Sequence, residues 1–524
     1  MDLNNRKAIV QLRLRTDLHR LAETPSSFDF YLENEKDTSE FSLIRIFRQG
    51  ASSNAKVVVE RSAHSYFPVY LYALRNSKLI ISDTMAHILP VISSECKKLD
   101  KTALLNHLLM GQSPSNPYIA GGEVVAHGER VVMELQGDRF VLTDRTIYDR
   151  FVHENRRVWL DSVYDCENIL RQSVESSHPN INLFSGGVDS TLIQSMFKGE
   201  DALAVTARIS SPEFQPECQL ALKSSSLLNC RHSFVDIDEN TYLQKVADAT
   251  RQTGIPVPAM QHPLILAVLD KEAHANSIVC GYKADAIFGS GLASQHGLHQ
   301  WLISSEFQPE YAASIRFHTS NQRSEDDVVD DFLCEFIGDP KAFHLARVKR
   351  ALNLTEINGI KRPWSYFLII GHTINYISED QIAFVRDLAA SKGKKVYAPF
   401  NDRQLIDQFN SINASTRYVE DGISKPMLKH ILAKRLPYYN LRNLKLGSGL
   451  PRTRYFLNGP LKNAFKTYPP PPILQELLCA IGKPTWTNSW VLWPALSYSI
   501  WYNECLQKEL PDRVDLSSYT IDLP

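Results

Sequence analysis

The chain has 524 residues, 44% hydrophobic and 22% charged, a globular balance on a length that predicts two or three domains. Its 57 Lys and Arg against 58 Asp and Glu leave a net charge of -1, which excludes a global basic surface for nucleic acid and an acidic tail for a basic partner. The eight cysteines show no Cys-x-x-Cys and no metal-type pairing with His, the polar start Met1-Asp2-Leu3-Asn4 has no signal-peptide core, and no stretch approaches the roughly 20 apolar residues of a membrane span. A cytoplasmic chain with free thiols is expected, with neither nucleic acid nor membrane as partner.

Residues 1–150 hold short β-type runs at 8–14, 41–47, 56–60, 69–74, 79–82, 123–126 and 130–135, which predict a mostly β first domain. A polar stretch around 148–157 leads into a helix. From about 160 onward, apolar strand candidates at 181–184, 202–206, 232–236 and 277–280 alternate with helical segments such as 217–228 and 243–250. That alternation predicts a parallel sheet covered by helices on both faces. Residues 300–440 read mainly helical. The tail beyond the run of four prolines at 469–472 carries Trp486, Trp490, Trp493 and Trp501, read as packing anchors.

The strand candidate at 181–184 runs directly into Ser185-Gly186-Gly187-Val188-Asp189-Ser190 and a helix start. Two glycines at such a turn let backbone N–H groups approach an anion, and Ser185, Ser190 and the helix N-terminus add donors and a favourable dipole. An acid inside an anion cradle would repel phosphate, so Asp189 reads as a ligand for a divalent cation carried by that phosphate. Downstream, Cys280-Gly281-Tyr282-Lys283-Ala284-Asp285 again puts an acid just past an apolar strand. Alone, Asp285 reads as a helix cap; paired with Asp189 across an open α/β sheet, it reads as a second ligand of one Mg²⁺ on the phosphates of ATP. Lys425 stands at the head of a helix, an awkward place for a cation without an anion nearby, and Lys445 lies in a Gly-rich loop.

These segments resemble the asparagine synthetase family. Ser185-Gly-Gly-Val-Asp-Ser190 is similar to its pyrophosphatase-type phosphate loop, and 281–289 resembles its signature Gly-Glu-Gly-Ala-Asp-Glu-Leu-Phe-Gly. Val396-Tyr-Ala-Pro-Phe-Asn-Asp402 is similar to its Val-Pro-Phe-Leu-Asp segment. Lys425 and the stretch Lys445-Leu-Gly-Ser-Gly-Leu-Pro451 resemble its two C-terminal lysine motifs. The resemblance covers roughly 160–465. The first domain is more weakly similar to the family's N-terminal-nucleophile (Ntn) amidotransferase domain. The fold implied is α/β: residues 1–150 a degenerate Ntn-glutaminase-like β domain, and residues 160–524 a parallel-sheet, ATP-pyrophosphatase-type synthetase domain with a helical C-terminal part.

Two departures refine what the resemblance implies. Glutamine-hydrolysing members need Cys directly after the initiator Met, and position 2 is Asp2, so a structural or docking role is expected of the first domain. Asparagine synthetases place Glu where this chain has Tyr282. β-Lactam and carbapenam synthetases place Tyr there, paired with a Glu as general base, and lasso-peptide macrolactam synthetases often vary there. Glu379 is the candidate partner for Tyr282. The reaction implied is adenylation of a substrate carboxylate, releasing pyrophosphate, followed by attack of a substrate amine to form an amide and AMP. Ser185, Gly186, Gly187 and Ser190 would cradle pyrophosphate, Asp189 and Asp285 would ligate Mg²⁺, and Lys425 would hold the leaving phosphates. Lys445 would neutralise charge developing on the reacting oxygens. The substrate would be a small molecule or peptide carrying a carboxylate and an amine, with a partner biosynthetic protein as a further candidate. An ammonia-dependent asparagine synthetase and a non-catalytic scaffold are the alternatives.

Overall fold

A computed structural model describes residues 8–13, 18–23, 27–33, 41–47, 55–63, 65, 68–111, 113, 116–149, 159–177, 179–197, 202–289, 381–410, 419–420, 423–442, 450–481, 489–508 and 518–523. The first part contains β1 (Ala8–Arg13), β2 (Leu18–Glu23), β3 (Ser27–Glu33), β4 (Phe41–Phe47), β5 (Lys56–Arg61), β6 (Val69–Leu74) and β7 (Lys78–Ser82). Helices α1 (Met85–Ile88) and α2 (Lys101–Met110) precede β8 (Gly122–Val125), β9 (Glu129–Gln136) and β10 (Arg139–Ile147). The second part runs α3 (Trp159–Ser177), β11 (Ile181–Leu183), α4 (Val188–Gln194), β12 (Leu203–Ile209), α5 (Gln215–Leu228), β13 (His232–Ile237), α6 (Tyr242–Thr253), α7 (His262–Lys271), β14 (Ser277–Val279) and α8 (Ala284–Phe288). After it come β15 (Lys395–Tyr397), the short hairpin of β16 (Val419–Glu420) and β17 (Ile423–Ser424), several helices, and β18 (Ser518–Leu523).

Alternating side chains build the first part as two packed sheets. One is antiparallel, in the order β10-β9-β5-β4-β3-β2; the other runs β18-β1-β7-β6-β8. Val131, Met133 and Leu135, two apart on β9, meet Val10 and Leu12 of β1 and Leu79 and Ile81 of β7 in one buried core. The opposite face of the second sheet, with Tyr72 and Ile80, lies against α1, α2 and the helices Pro472–Ile481 and Ser489–Trp501. The edge of that sheet is completed from the far end of the chain, since β18 pairs antiparallel with β1 from Ala8 opposite Leu523 onward. The runs read from sequence as strands fall on β1 and β4 to β9. β2, β3, β10 and β18 were not anticipated.

The second part is a parallel five-stranded sheet in the order β13-β12-β11-β14-β15. The strand period of two sends Ile278 to one face, against α6, α7 and helix Ala383–Ala390, and Val279 to the other, against α3 and α4. Both faces are therefore covered by helices, as the alternation of strands and helices predicted. Trp493 and Trp501 are buried, and their indole N–H groups donate to the carbonyls of Pro258 (3.2 Å) and Gly254 (2.8 Å). The Trp486 position, the Trp490 side chain and residues 290–380, which include much of the 300–440 region read as helical, lie outside the described residues. The described cysteines are all free; Cys166, Cys218, Cys280 and Cys505 are buried.

The two parts meet at a buried ionic contact. Arg386, on helix Ala383–Ala390, donates to the Asp83 carboxylate (3.3 Å) and to the Asp83 carbonyl (2.9 Å), and the Thr84 hydroxyl donates to Asp387 (2.7 Å). Asp83 follows β7 directly.

Candidate active site

The Ser-Gly-Gly turn forms because β11 and α4 are tied across it. Asn182 points to the opposite face from Ile181, and its amide donates to the Ser190 carbonyl (3.1 Å) and to Gln194 Oε1 (2.9 Å). Inside the turn, Ser185 N–H donates to Ser190 Oγ (3.2 Å) and Gly187 N–H donates to Ser185 Oγ (3.3 Å). Gly186 has φ +72°, and a Cβ there would stand 2.6 Å from the Ala221 backbone, so neither the conformation nor the space admits a side chain. Its carbonyl accepts from Ser224 Oγ (2.9 Å) on α5 and from the Tyr439 hydroxyl (3.0 Å). The turn is thus gripped from two sides while the first N–H groups of α4, which have no intrahelical acceptor, stay at its mouth.

From β11 the chain steps outward to β12 and β13, then returns to β14 on the other side of β11. The carboxyl ends of β11 and β14 therefore flank the topological switch point, where an open α/β sheet leaves a ligand crevice. Asp189 follows β11 and Asp285 follows β14. The two motifs touch directly, since a Cβ on Gly281 would lie 3.1 Å from Asp189 Cβ.

A third segment completes the cluster. Lys425 heads helix Pro426–Arg435 with φ +54°, a left-handed conformation that side-chain-bearing residues seldom adopt. Its ammonium lies 2.8 and 2.6 Å from the two Asp189 oxygens and 2.5 Å from Asp285 Oδ1. The Lys425 side chain is only 5% exposed, against 18% and 25% for the carboxylates. One turn further on, Lys429 is buried too, and burial, helped by the neighbouring Lys425 charge, lowers its pKa while Asp189 opposes the shift.

Sequence reading missed Lys429, Lys283 and Asn401 as members of this neighbourhood. Lys283 stands where the family signature has its second Gly, holds that glycine-like backbone at φ +76°, is fully buried, and donates to Asn401 Oδ1. The positive-φ requirement was legible only through that Gly; nothing in the sequence tied it to Asn401. Asp402 caps helix Arg403–Asn410 through Leu405 N–H (3.1 Å), a structural task.

Tyr282 is half-buried, packed on Ile382, with the His262 ring 6.4 Å away. His262 is fully buried at the start of α7, stacks on Phe384 at 4.9 Å, and has its pKa pushed down to about 3 by burial. Lys445 and Glu379 lie outside the described residues.

The donor set suits Mg²⁺ delivered by a nucleotide. Among the described residues no three His, Cys, Asp or Glu side chains gather into a complete cage, whereas Asp189 and Asp285 converge on one cationic point. Mg²⁺ typically takes one or two carboxylates and completes its shell with phosphate and water oxygens.

The family model for asparagine synthase matches residues 166–468, more than half of the chain, from within α3 to just beyond helix Ala464–Thr467. The chain belongs to the asparagine synthase family. The match contains the Ser-Gly-Gly turn, Tyr282, Asp285 and Lys425. No curated protein matches the chain. Family membership makes this an ATP-dependent, amide-forming ligase in general terms, acting on carboxylate and amine substrates. Among the described residues no helix is long and apolar enough to cross a membrane.

Proposed function

We propose that this asparagine synthase family member converts a substrate carboxylate to an acyl-adenylate, with ATP giving pyrophosphate, and that an amine of the substrate then attacks the carbonyl to form an amide and AMP. The reading extends to ring closure in natural-product biosynthesis, of the macrolactam or β-lactam type, in a two-domain enzyme (1–150 and 160–524). The observation that carries it is the convergence of Asp189 and Asp285 on one cationic point beside the mouth of the Ser-Gly-Gly turn. Ser185, Gly186, Gly187 and Ser190 would cradle the pyrophosphate, and Asp189 and Asp285 would hold Mg²⁺, which supplies charge neutralisation of the phosphates. Lys425 would face the leaving phosphates. Lys445 would steady charge on the reacting oxygens and Tyr282, with Glu379, would take the proton from the amine.

Tyr282 supports a substrate amine over free ammonia. It sits half-buried against Ile382. An aromatic wall suits an organic amine better than ammonia, and a phenol offers a proton acceptor once ionised.

The test is ATP–pyrophosphate exchange with candidate amino acids and peptides, followed by mass spectrometry of the products. Exchange that depends on a carboxylate, with loss of water from a single substrate molecule, is expected. Robust asparagine formation from aspartate and ammonia would overturn the ring-forming reading.

A further inference from the structure

We propose that Lys425 is a built-in counter-cation: in the nucleotide-free enzyme its ammonium holds the place between Asp189 and Asp285 that a divalent cation takes with the nucleotide, and metal binding expels it toward the phosphates. The proposal deepens the nucleotide-site reading above and rests on it.

Lys425 Nζ has three oxygens within 2.8 Å: it donates to both oxygens of Asp189 and stands in ion-pair contact with Asp285 Oδ1. A metal ion seated on the same oxygens would stand against that positive charge, so the two cations exclude each other. Lysine is the suitable residue for such an exchange, being a compact charge on a flexible stem, where the planar fork of arginine would lock onto a carboxylate. The backbone fixes where the stem begins, since Lys425 is held at φ +54° and Pro426 follows it in the first helical position. The side chain is 5% exposed, so an ammonium leaving the carboxylates needs another anion at once. Phosphate at the neighbouring turn would be that anion.

The exchange makes metal and phosphate binding mutually dependent. Metal alone must displace an ion pair and strand a buried ammonium; metal arriving with phosphate provides the ammonium with a new partner. By linkage, pyrophosphate strengthens metal binding by the factor by which metal strengthens pyrophosphate binding.

Mn²⁺ binding to the full-length wild type and to Lys425→Met, followed by electron paramagnetic resonance without nucleotide, tests the proposal. Methionine keeps an unbranched stem and removes the charge; Lys425→Gln serves as a second variant if circular dichroism shows the first to be unfolded. The expected result is that Mn²⁺ alone binds the neutral variant at least tenfold more tightly than wild type, and that adding Asp189→Asn abolishes the gain. Pyrophosphate should raise Mn²⁺ affinity more in wild type than in Lys425→Met. Mn²⁺ affinity in the neutral variant equal to or below that of wild type overturns the proposal. Failure of the wild type to bind Mn²⁺ in the presence of pyrophosphate or ATP instead overturns the nucleotide-site reading, while the metal-alone comparison still decides whether the exchange occurs.

Discussion

Gly281 lies under the side chain of Asp189: a methyl group built on Gly281 would stand 3.1 Å from Asp189 Cβ. This close approach joins the turn after β11 to the turn after β14 and sets the carboxylate of one motif over the backbone of the other. Gly281→Ala forces Asp189 to shift by a few tenths of an ångström, away from the point it shares with Asp285. Catalysis is sensitive to displacements on that scale, so ATP–pyrophosphate exchange should fall about tenfold with little change in the unfolding midpoint. An exchange rate equal to wild type would show that the contact has no bearing on the reaction.

The contact between Arg386 and Asp83 holds the β-rich part against the parallel-sheet part, with side chains 8% and 0% exposed. Replacing Arg386 by Leu takes a buried charge partner from the Asp83 carboxylate, and breaking such a pair from one side costs about 3–5 kcal/mol. Urea unfolding should register that loss. Asp83→Asn combined with Arg386→Leu should recover part of it, because the carboxylate charge is then gone as well. A loss below about 1 kcal/mol in the single variant, the range of exposed pairs, would show that this contact does not dock the two parts.

His262 predicts an acid sensitivity. Its imidazole stays neutral in the folded protein down to about pH 3, whereas in the unfolded chain it takes up a proton near its ordinary value of 6.5. The unfolded state therefore binds more protons below pH 6.5, and stability falls with pH by about 1.4 kcal/mol per unit for each such histidine. His107, buried and also pushed down to about 3, adds a second contribution of the same sign. His262→Phe removes one of the two and replaces a ring whose nitrogens have no hydrogen-bond partner among the described residues. Its stability relative to wild type should improve by about 2 kcal/mol between pH 7.5 and pH 5 in urea titrations. A difference independent of pH would contradict this account.

Tyr282→Phe separates the two proposed half-reactions. The phenyl ring preserves the packing on Ile382 and deletes only the hydroxyl. Carboxylate-dependent ATP–pyrophosphate exchange should persist, while amide formation in single turnover falls about 10²–10⁴-fold, the range for a lost proton-transfer group. Equal loss of both steps would assign the hydroxyl to carboxylate binding instead.

The strand candidates behind β11 and β14 were legible because they are short, mainly apolar runs with glycines just beyond them, Gly186 and Gly187 after one and Gly281 after the other. Ser185, Asp189 and Asp285 were legible because they stand within five residues of those runs. Local pattern is enough for that. β2, β3 and β10 escaped because their polar and apolar residues make sense only beside their partners. β18 escaped because it pairs with a strand at the other end of the chain. Lys283 was passed over because a lysine reads as a solvated charge, and only the fold shows it buried on Asn401.

The sequence by itself determined the alternation of strands and helices from β11 to β14, the glycine that the Ser-Gly-Gly turn requires, and the family to which the chain belongs, since all of these depend on residues close together or on motifs in a fixed order. Only the tertiary structure decided which charges meet. Asp189, Asp285 and Lys425 lie far apart along the chain, and no local rule states that one ammonium lies against both carboxylates. That arrangement follows from the parallel order β12-β11-β14, which places two strand ends side by side, and from the helix start that carries Lys425 over them. Electrostatics acts through space, and the space is made by the sheet.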